Sequence, residues 1–167
     1  MSIQLALLSL IVAVLSHPPA ALSPFCPNCG EDFKTVLLSE PECWNDLFLG
    51  GPWRLASAIA KTSLHLQPDS NMVLYDGSGK AMWSTETIGT GANHLVLQGD
   101  GNLVFYRPDG KPMWSSRTED CGTGPYCLRL LDEGPLILYD TYCKVIWMNG
   151  VNLFRSLELN STTNGTA

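Results

Sequence analysis

Between residues 64 and 147 the chain alternates apolar and polar side chains in short runs, broken by Gly, Pro, Asn and Asp. Alternation with a period of two marks half-buried strands, and the breaks carry turn residues, so the pattern predicts a meander of short β-strands. The pattern occurs three times. Residues 64–83 read LHLQPDSNMVLYDGSGKAMW, residues 95–114 LVLQGDGNLVFYRPDGKPMW, and residues 128–147 LRLLDEGPLILYDTYCKVIW. In each copy a Trp follows a Tyr by eight positions (Tyr75 and Trp83, Tyr106 and Trp114, Tyr139 and Trp147), and the Tyr residues are 31 and 33 apart. One unit of about 31 residues buries too little apolar surface to stand alone, so the copies should pack on one another around a shared core. Three copies predict a three-sided arrangement.

Successive strand residues point to opposite faces. One parity carries Leu64, Leu66, Met72 and Leu74 in the first copy and Leu95, Leu97, Leu103 and Phe105 in the second, which is the predicted core. The Trp residues are expected to fill the space between sheets. The other parity carries Gln67, Asp69, Asn71, Val73 and Tyr75, repeated as Gln98, Asp100, Asn102, Val104 and Tyr106. Asp-Ser-Asn and Asp-Gly-Asn are by themselves ordinary turn chemistry. The recurrence of all five residue types points instead to binding. Amides donate and accept, a carboxylate accepts, a phenol does either, and an apolar patch lies between them, a set matched to a hydroxyl-rich ligand.

Composition narrows the alternatives. With 167 residues, 45% hydrophobic and 16% charged, the chain is one foldable domain of ordinary size. The net charge of -6 comes with no basic cluster, which argues against nucleic acid as a partner. His17, His65 and His94 accompany no nucleophile signature, so no enzyme is expected. The apolar run of residues 5–15 has the length of a signal-peptide core and is too short to span a membrane; cleavage fits after Ser16 or Ser23. All six Cys (Cys26, Cys29, Cys43, Cys121, Cys127 and Cys143) lie beyond it, and an even count in a secreted chain reads as disulfides. Cys26-Pro27-Asn28-Cys29 also has zinc-knuckle or redox spacing, but no second pair completes four zinc ligands. Asn160 and Asn164 begin glycosylation acceptor triplets in a polar tail that carries no apolar stretch, so no membrane or lipid anchor is expected.

The unbroken QxDxNxVxY runs at residues 67–75 and 98–106 resemble the mannose-binding motif of the bulb-type (monocot mannose-binding, snowdrop-like) lectins. The resemblance covers residues 44–150 and includes Leu47-Phe48-Leu49-Gly50 and Trp53-Arg54-Leu55. It implies a β-prism of three four-stranded antiparallel sheets with an internal pseudo-threefold repeat, metal-independent mannose binding with no cofactor, and no catalysis. It further implies that Gln67 or Gln98 meets the 3-hydroxyl, Asp69 with Asn71 or Asp100 with Asn102 the axial 2-hydroxyl, and Tyr75 or Tyr106 the 4-hydroxyl. Val73 or Val104 would touch the sugar's C–H surface. Gln67-Pro68-Asp69 and Trp44-Asn45-Asp46 superficially resemble calcium-dependent lectins, but in reversed order.

The third copy departs from the motif, with Leu131, Glu133 and Pro135 in place of Gln, Asp and Asn, while Ile137 and Tyr139 are kept. Two working sites and one structural repeat are therefore expected. Cys127 and Cys143 flank this copy in a manner closer to animal members of the family. The preferred bridges are Cys26 with Cys29, Cys43 with Cys121, and Cys127 with Cys143, one of 15 arrangements. The expected organisation is a signal peptide (1–23), a Cys-containing extension (24–43), the lectin domain (44–150) and a tail (151–167). The expected product is a secreted lectin for mannose-rich glycans, with a homodimer left open and residues 151–159 expected either to complete a sheet or to exchange with a partner chain. The rival is a secreted protein-interaction module on the same fold with idle sugar sites.

Overall fold

Each repeat folds as the three-strand meander that its alternation predicts. The computed structural model describes residues 26–29, 36–39, 46–48, 55–57, 59, 61–132, 134–149 and 151–152. The expected signal segment, Cys43, Trp44, Trp53, Arg54, Glu133, Asn160 and Asn164 lie outside them. After a 3₁₀ turn at Pro27–Cys29 come two short strands, β1 (Val36–Leu38) and β2 (Asp46–Phe48). The first repeat supplies β3 (Thr62–Leu66), β4 (Met72–Asp76) and β5 (Ala81–Ser84). The second supplies β6 (His94–Leu97), β7 (Leu103–Tyr106) and β8 (Pro112–Ser115), and the third β9 (Cys127–Leu130), β10 (Leu136–Tyr139) and β11 (Val145–Met148), followed by β12 (Val151–Asn152).

The strands form three sheets, ordered β1-β9-β10-β11-β12, β2-β6-β7-β8 and β3-β4-β5. Every pairing is antiparallel. The four strands expected per sheet occur in the middle sheet. In the sheet of the first repeat the fourth place is taken by residues 55–57, where Ala56 bridges Ser63 and the Leu64 amide donates to Leu55 at 2.9 Å. The sheet of the third repeat has a fifth strand because β12 covers its outer edge. The segment before the repeats thus edges each sheet in turn, beginning with the last. Leu37, within the stretch read as an N-terminal extension, is 1% exposed and sits in the common core.

The predicted core parity faces inward. Leu64, Met72, Leu74, Leu95, Leu97, Leu103 and Phe105 are fully buried, joined by Leu128, Leu130, Leu136 and Leu138 of the third repeat. Leu66 is only partly buried and packs against this cluster. Trp147 is buried in the common core, and Trp83 and Trp114, partly buried, meet it and each other edge to face, with ring centroids 5.5 to 6.0 Å apart. This is the favoured geometry for aromatic pairs, the positive edge of one ring against the negative face of the next. A one-residue bulge recurs at Leu74/Tyr75, Phe105/Tyr106 and Leu138/Tyr139, and brings each Trp opposite the core residue of the central strand.

The hairpins after the central strands share one bonding pattern: Asp76, Arg107 and Asp140 each donate the backbone N–H to the carbonyl four residues on and accept the N–H three residues on. Gly79 and Gly110 take the left-handed turn position, and in the third repeat Cys143 takes it with φ 62°. The Ser78 hydroxyl, then the Lys80 amide, donate to Asp76 and hold its carboxyl below the usual range. Burial, followed by the nearby Asp140, raises the Tyr126 phenol above its ordinary value.

The disulfide arrangement corrects the expected one. Cys26 bonds Cys143 and Cys29 bonds Cys127, with Cα atoms 4.9 and 6.1 Å apart. Cys26 does not pair with Cys29, nor Cys127 with Cys143. Cys127 starts β9 and Cys143 leads into β11, with β10 between them, a gap of two strand spacings or roughly 10 Å. A disulfide spans Cα atoms no more than about 7 Å apart. The 3₁₀ turn lies over these strands instead, so each of its cysteines reaches one partner. Cys121 is buried with no disulfide partner among the described residues. The bridges close loops spanning sequence separations of 117 and 98, and a loop of that size is worth about 4–5 kcal/mol in chain-entropy terms.

Gly101 and Gly79 separate two costs of adding a side chain. Both have positive φ, 85° and 84°, but a Cβ on Gly101 would lie 2.8 Å from the Tyr126 ring whereas none of Gly79's neighbours comes within 4 Å. Gly79→Ala is expected to lose about 1 kcal/mol from backbone strain, and Gly101→Ala at least twice that. Urea unfolding of the two variants checks the order; equal midpoints would contradict the contact.

Candidate functional site

In the first repeat Gln67 follows β3, Asp69 and Asn71 occupy the turn, and Val73 and Tyr75 lie on β4. The turn closes through Gln67 N–H to Asn71 C=O at 2.9 Å and Ser70 N–H to Gln67 C=O at 2.9 Å. Ser70 holds φ 72°, and its hydroxyl accepts the Gly91 amide at 3.1 Å, anchoring a conformation that the second copy gives to Gly101. The five predicted residues come together. Val73 is 4% exposed and forms the floor, with Gln67 and Tyr75 joined above it by a 2.7 Å bond from Gln67 Nε2 to the phenol.

Inner bonds decide which atoms remain for a ligand. The Asn71 Oδ1 atom accepts from the Thr85 hydroxyl at 3.2 Å and the Thr87 amide at 3.3 Å. A backbone N–H can only donate, so the carboxamide oxygen faces these two groups and Nδ2 is the end of Asn71, 7% exposed, left to donate. Asp69 Oδ1 accepts the Asn71 amide at 2.9 Å, which leaves Oδ2 to accept from outside. Because the Tyr75 oxygen accepts from Gln67, its own proton is free to donate, and Gln67 Oε1 is free to accept. The outward set is two acceptors and two donors around an apolar floor.

The second repeat reproduces this arrangement bond for bond. Gln98 Nε2 donates to Tyr106 at 2.8 Å, and Asp100 Oδ1 accepts the Asn102 amide at 2.9 Å. Asn102 Oδ1 accepts from Ser116 at 3.1 Å and Thr118 N–H at 3.4 Å, and Val104 is 3% exposed. Asp69 and Asp100 are exposed, so the carboxylates stand at the rim.

Sequence reasoning passed over Thr85, Thr87, Ser116 and Thr118, which set the Asn orientation. The signal was available: Trp-Ser-(Thr or Ser)-x-Thr follows both intact copies, at residues 83–87 and 114–118. The third copy reads Trp147-Met148-Asn149 instead. There Asn149 Oδ1 accepts the Leu136 amide at 2.8 Å, the task of Thr85 toward Met72 and of Ser116 toward Leu103. The scaffold bond is kept while the site is not.

The third face is also covered. Ile137 and Tyr139 are 7% and 8% exposed, packed with Cys26, Cys29, Leu38 and Cys127, with Leu131 against the same cluster. The Arg129 guanidinium donates to the Asn28 carbonyl, tying the turn down further. Among the described residues no three His, Cys, Asp or Glu side chains are grouped to hold a metal ion, and no helix is long and apolar enough to cross a membrane.

No protein-family model matches the chain, and no curated protein sequence matches it. Among solved structures, a monomeric monocot mannose-binding lectin from Gastrodia elata is 34% identical, with 71% of this chain and 99% of that chain covered and a TM-score of 0.57. The chain belongs to the monocot mannose-binding lectin family. A lectin from Marasmius oreades is 25% identical over 71% of this chain and 93% of that chain, TM-score 0.59. The snowdrop (Galanthus nivalis) bulb agglutinin, solved with methyl-α-D-mannoside, is 33% identical over 63% and 88% of the two chains, TM-score 0.52. Membership in the monocot mannose-binding lectin family makes this a carbohydrate-binding protein and not an enzyme.

Thr85→Val tests the inner bonds of this lectin's first site. It removes the hydroxyl that the Met72 amide donates to at 3.1 Å and that donates to Asn71. Stranding a buried polar group costs about 1–3 kcal/mol, so a clearly lower urea midpoint is expected. An unchanged midpoint would contradict the arrangement.

Proposed function

We propose that the protein is a secreted lectin that holds mannose residues of mannose-rich glycans at two sites, with the third repeat serving structure alone. The observation that carries this reading is the twofold occurrence of one outward set, Gln Oε1, Asp Oδ2, Asn Nδ2 and the Tyr proton, over a Val floor. A sugar hydroxyl donates once and accepts twice, so adjacent acceptors and donors can grip a vicinal pair. Asp69 with Asn71, and Asp100 with Asn102, would take the axial 2-hydroxyl; Gln67 or Gln98 the 3-hydroxyl; Tyr75 or Tyr106 the 4-hydroxyl. The snowdrop agglutinin with methyl-α-D-mannoside and a Polygonatum cyrtonema lectin with monomannoside lend support.

Secretion is supported by the two disulfides, since such bonds persist in oxidising compartments. A shallow site binding one sugar at millimolar strength gains only about 4 kcal/mol. Two sites per chain, doubled again in a homodimer, would raise avidity on the order of a hundredfold where glycan spacing fits.

Retention on immobilised mannan with release by free mannose is the expected behaviour, and glucose, whose 2-hydroxyl is equatorial, should release poorly. Asn71→Ala combined with Asn102→Ala should pass straight through. If the double variant is still retained, the sugar is held elsewhere.

A further inference from the structure

The two intact repeats differ on their outer faces where the incoming chain edges each sheet. In the second repeat the register sets Phe48, His94 and Tyr106 side by side across β2, β6 and β7. In the first repeat the corresponding row is Ala56, Ser63 and Tyr75. Leu47 and Leu95 point into the core, so Phe48 and His94 share the outward face with Tyr106. The Phe48 and His94 rings are stacked, with centroids 3.8 Å apart and planes 10° from parallel. His94 Nε2 lies 3.3 Å from Asp46 Oδ2, which fixes the imidazole from its other end. Phe48 is nonetheless 51% exposed.

A braced aromatic pair with a carboxylate beside it is suited to a pyranose. The sugar offers a C–H face to an aromatic surface and a hydroxyl rim to acceptors. Adjacent strands are about 4.8 Å apart, so His94 and Phe48 lie roughly 5 and 10 Å from the Tyr106 strand. That is the reach of a sugar joined to one held at Tyr106.

We propose that Phe48, His94 and Asp46 form a subsite for a second pyranose of the glycan, continuous with the second site and without a counterpart among the described residues of the first. Phe48 with His94 supplies the apolar wall, and Asp46 accepts a hydroxyl. The two sites of the chain are then unequal: the first reads a single terminal sugar, and the second reads a disaccharide unit. This rests on the carbohydrate reading of both sites, and the test separates the two claims.

Asn71→Ala leaves only the second site and Asn102→Ala only the first. Each form is titrated calorimetrically with methyl α-mannoside and with α1,2-, α1,3- and α1,6-linked mannobiose. With the second site alone, one linkage should bind about five- to tenfold tighter than the monosaccharide. Adding Phe48→Ala should bring that mannobiose down to the monosaccharide value, while Phe48→Tyr keeps the gain. With the first site alone, no linkage should show a gain. An equal gain in both forms, or a gain that survives Phe48→Ala, overturns the subsite. Normal methyl α-mannoside binding without any disaccharide gain overturns the subsite alone, whereas no methyl α-mannoside binding in either form overturns the sites and the subsite together.

Discussion

Where the three sheets meet, Trp83, Trp114 and Trp147 pack edge to face, each ring against the other two, with Trp147 buried and Trp83 and Trp114 partly covered. No single repeat can bury its inward leucines, because one three-stranded sheet has only water opposite its apolar face. Three sheets supply one another's missing side. Everything on the outer surface depends on this constraint: it sets inward and outward parity, and a slip of one residue would turn the outward side chains of each strand into the core. The recurrent bulge after Leu74, Phe105 and Leu138 belongs to the same constraint, since it brings each Trp opposite the core residue of its central strand.

The outer face is free to vary once the interior is satisfied. In the first two repeats hydroxyls from Thr85 and Ser116 serve twice, bonding a strand amide and orienting an Asn. In the third, Asn149 keeps only the strand bond, and the remaining surface has become apolar. That apolar face is buried beneath residues 26–29, held by two disulfides. The third repeat therefore behaves as an internal interface, and its conversion accounts for four of the six cysteines. It also explains why the stretch before the repeats belongs to the fold: β1 completes the sheet next to the covered face.

Much of this was legible in the chain itself. The meander, the inward Leu set and the grouping of Gln67, Asp69, Asn71, Val73 and Tyr75 follow from a period of two and from self-comparison, which are local properties. The disulfide pairing was not legible. Cys26 and Cys29 are close in sequence, and so are Cys127 and Cys143, but sequence proximity carries no knowledge that β10 stands between the latter pair. Leu66, counted as core by parity, lies at the end of its strand and is only partly covered. The Thr and Ser residues behind each Asn recur openly, yet their role needs the β5 and β8 ends to lie beside the turns, a contact 13 to 17 residues apart.

The amino-acid order alone determined the strands of the three repeats, their inward faces, the threefold repeat and the two intact motifs, because each arises from neighbours a few positions apart on a pleated backbone. Tertiary structure alone decided which cysteines meet, that the third face is closed, and that Phe48 stands beside the second site and not the first. Those outcomes depend on which strand the incoming chain lies against, and that is set by the packing of three sheets about one axis.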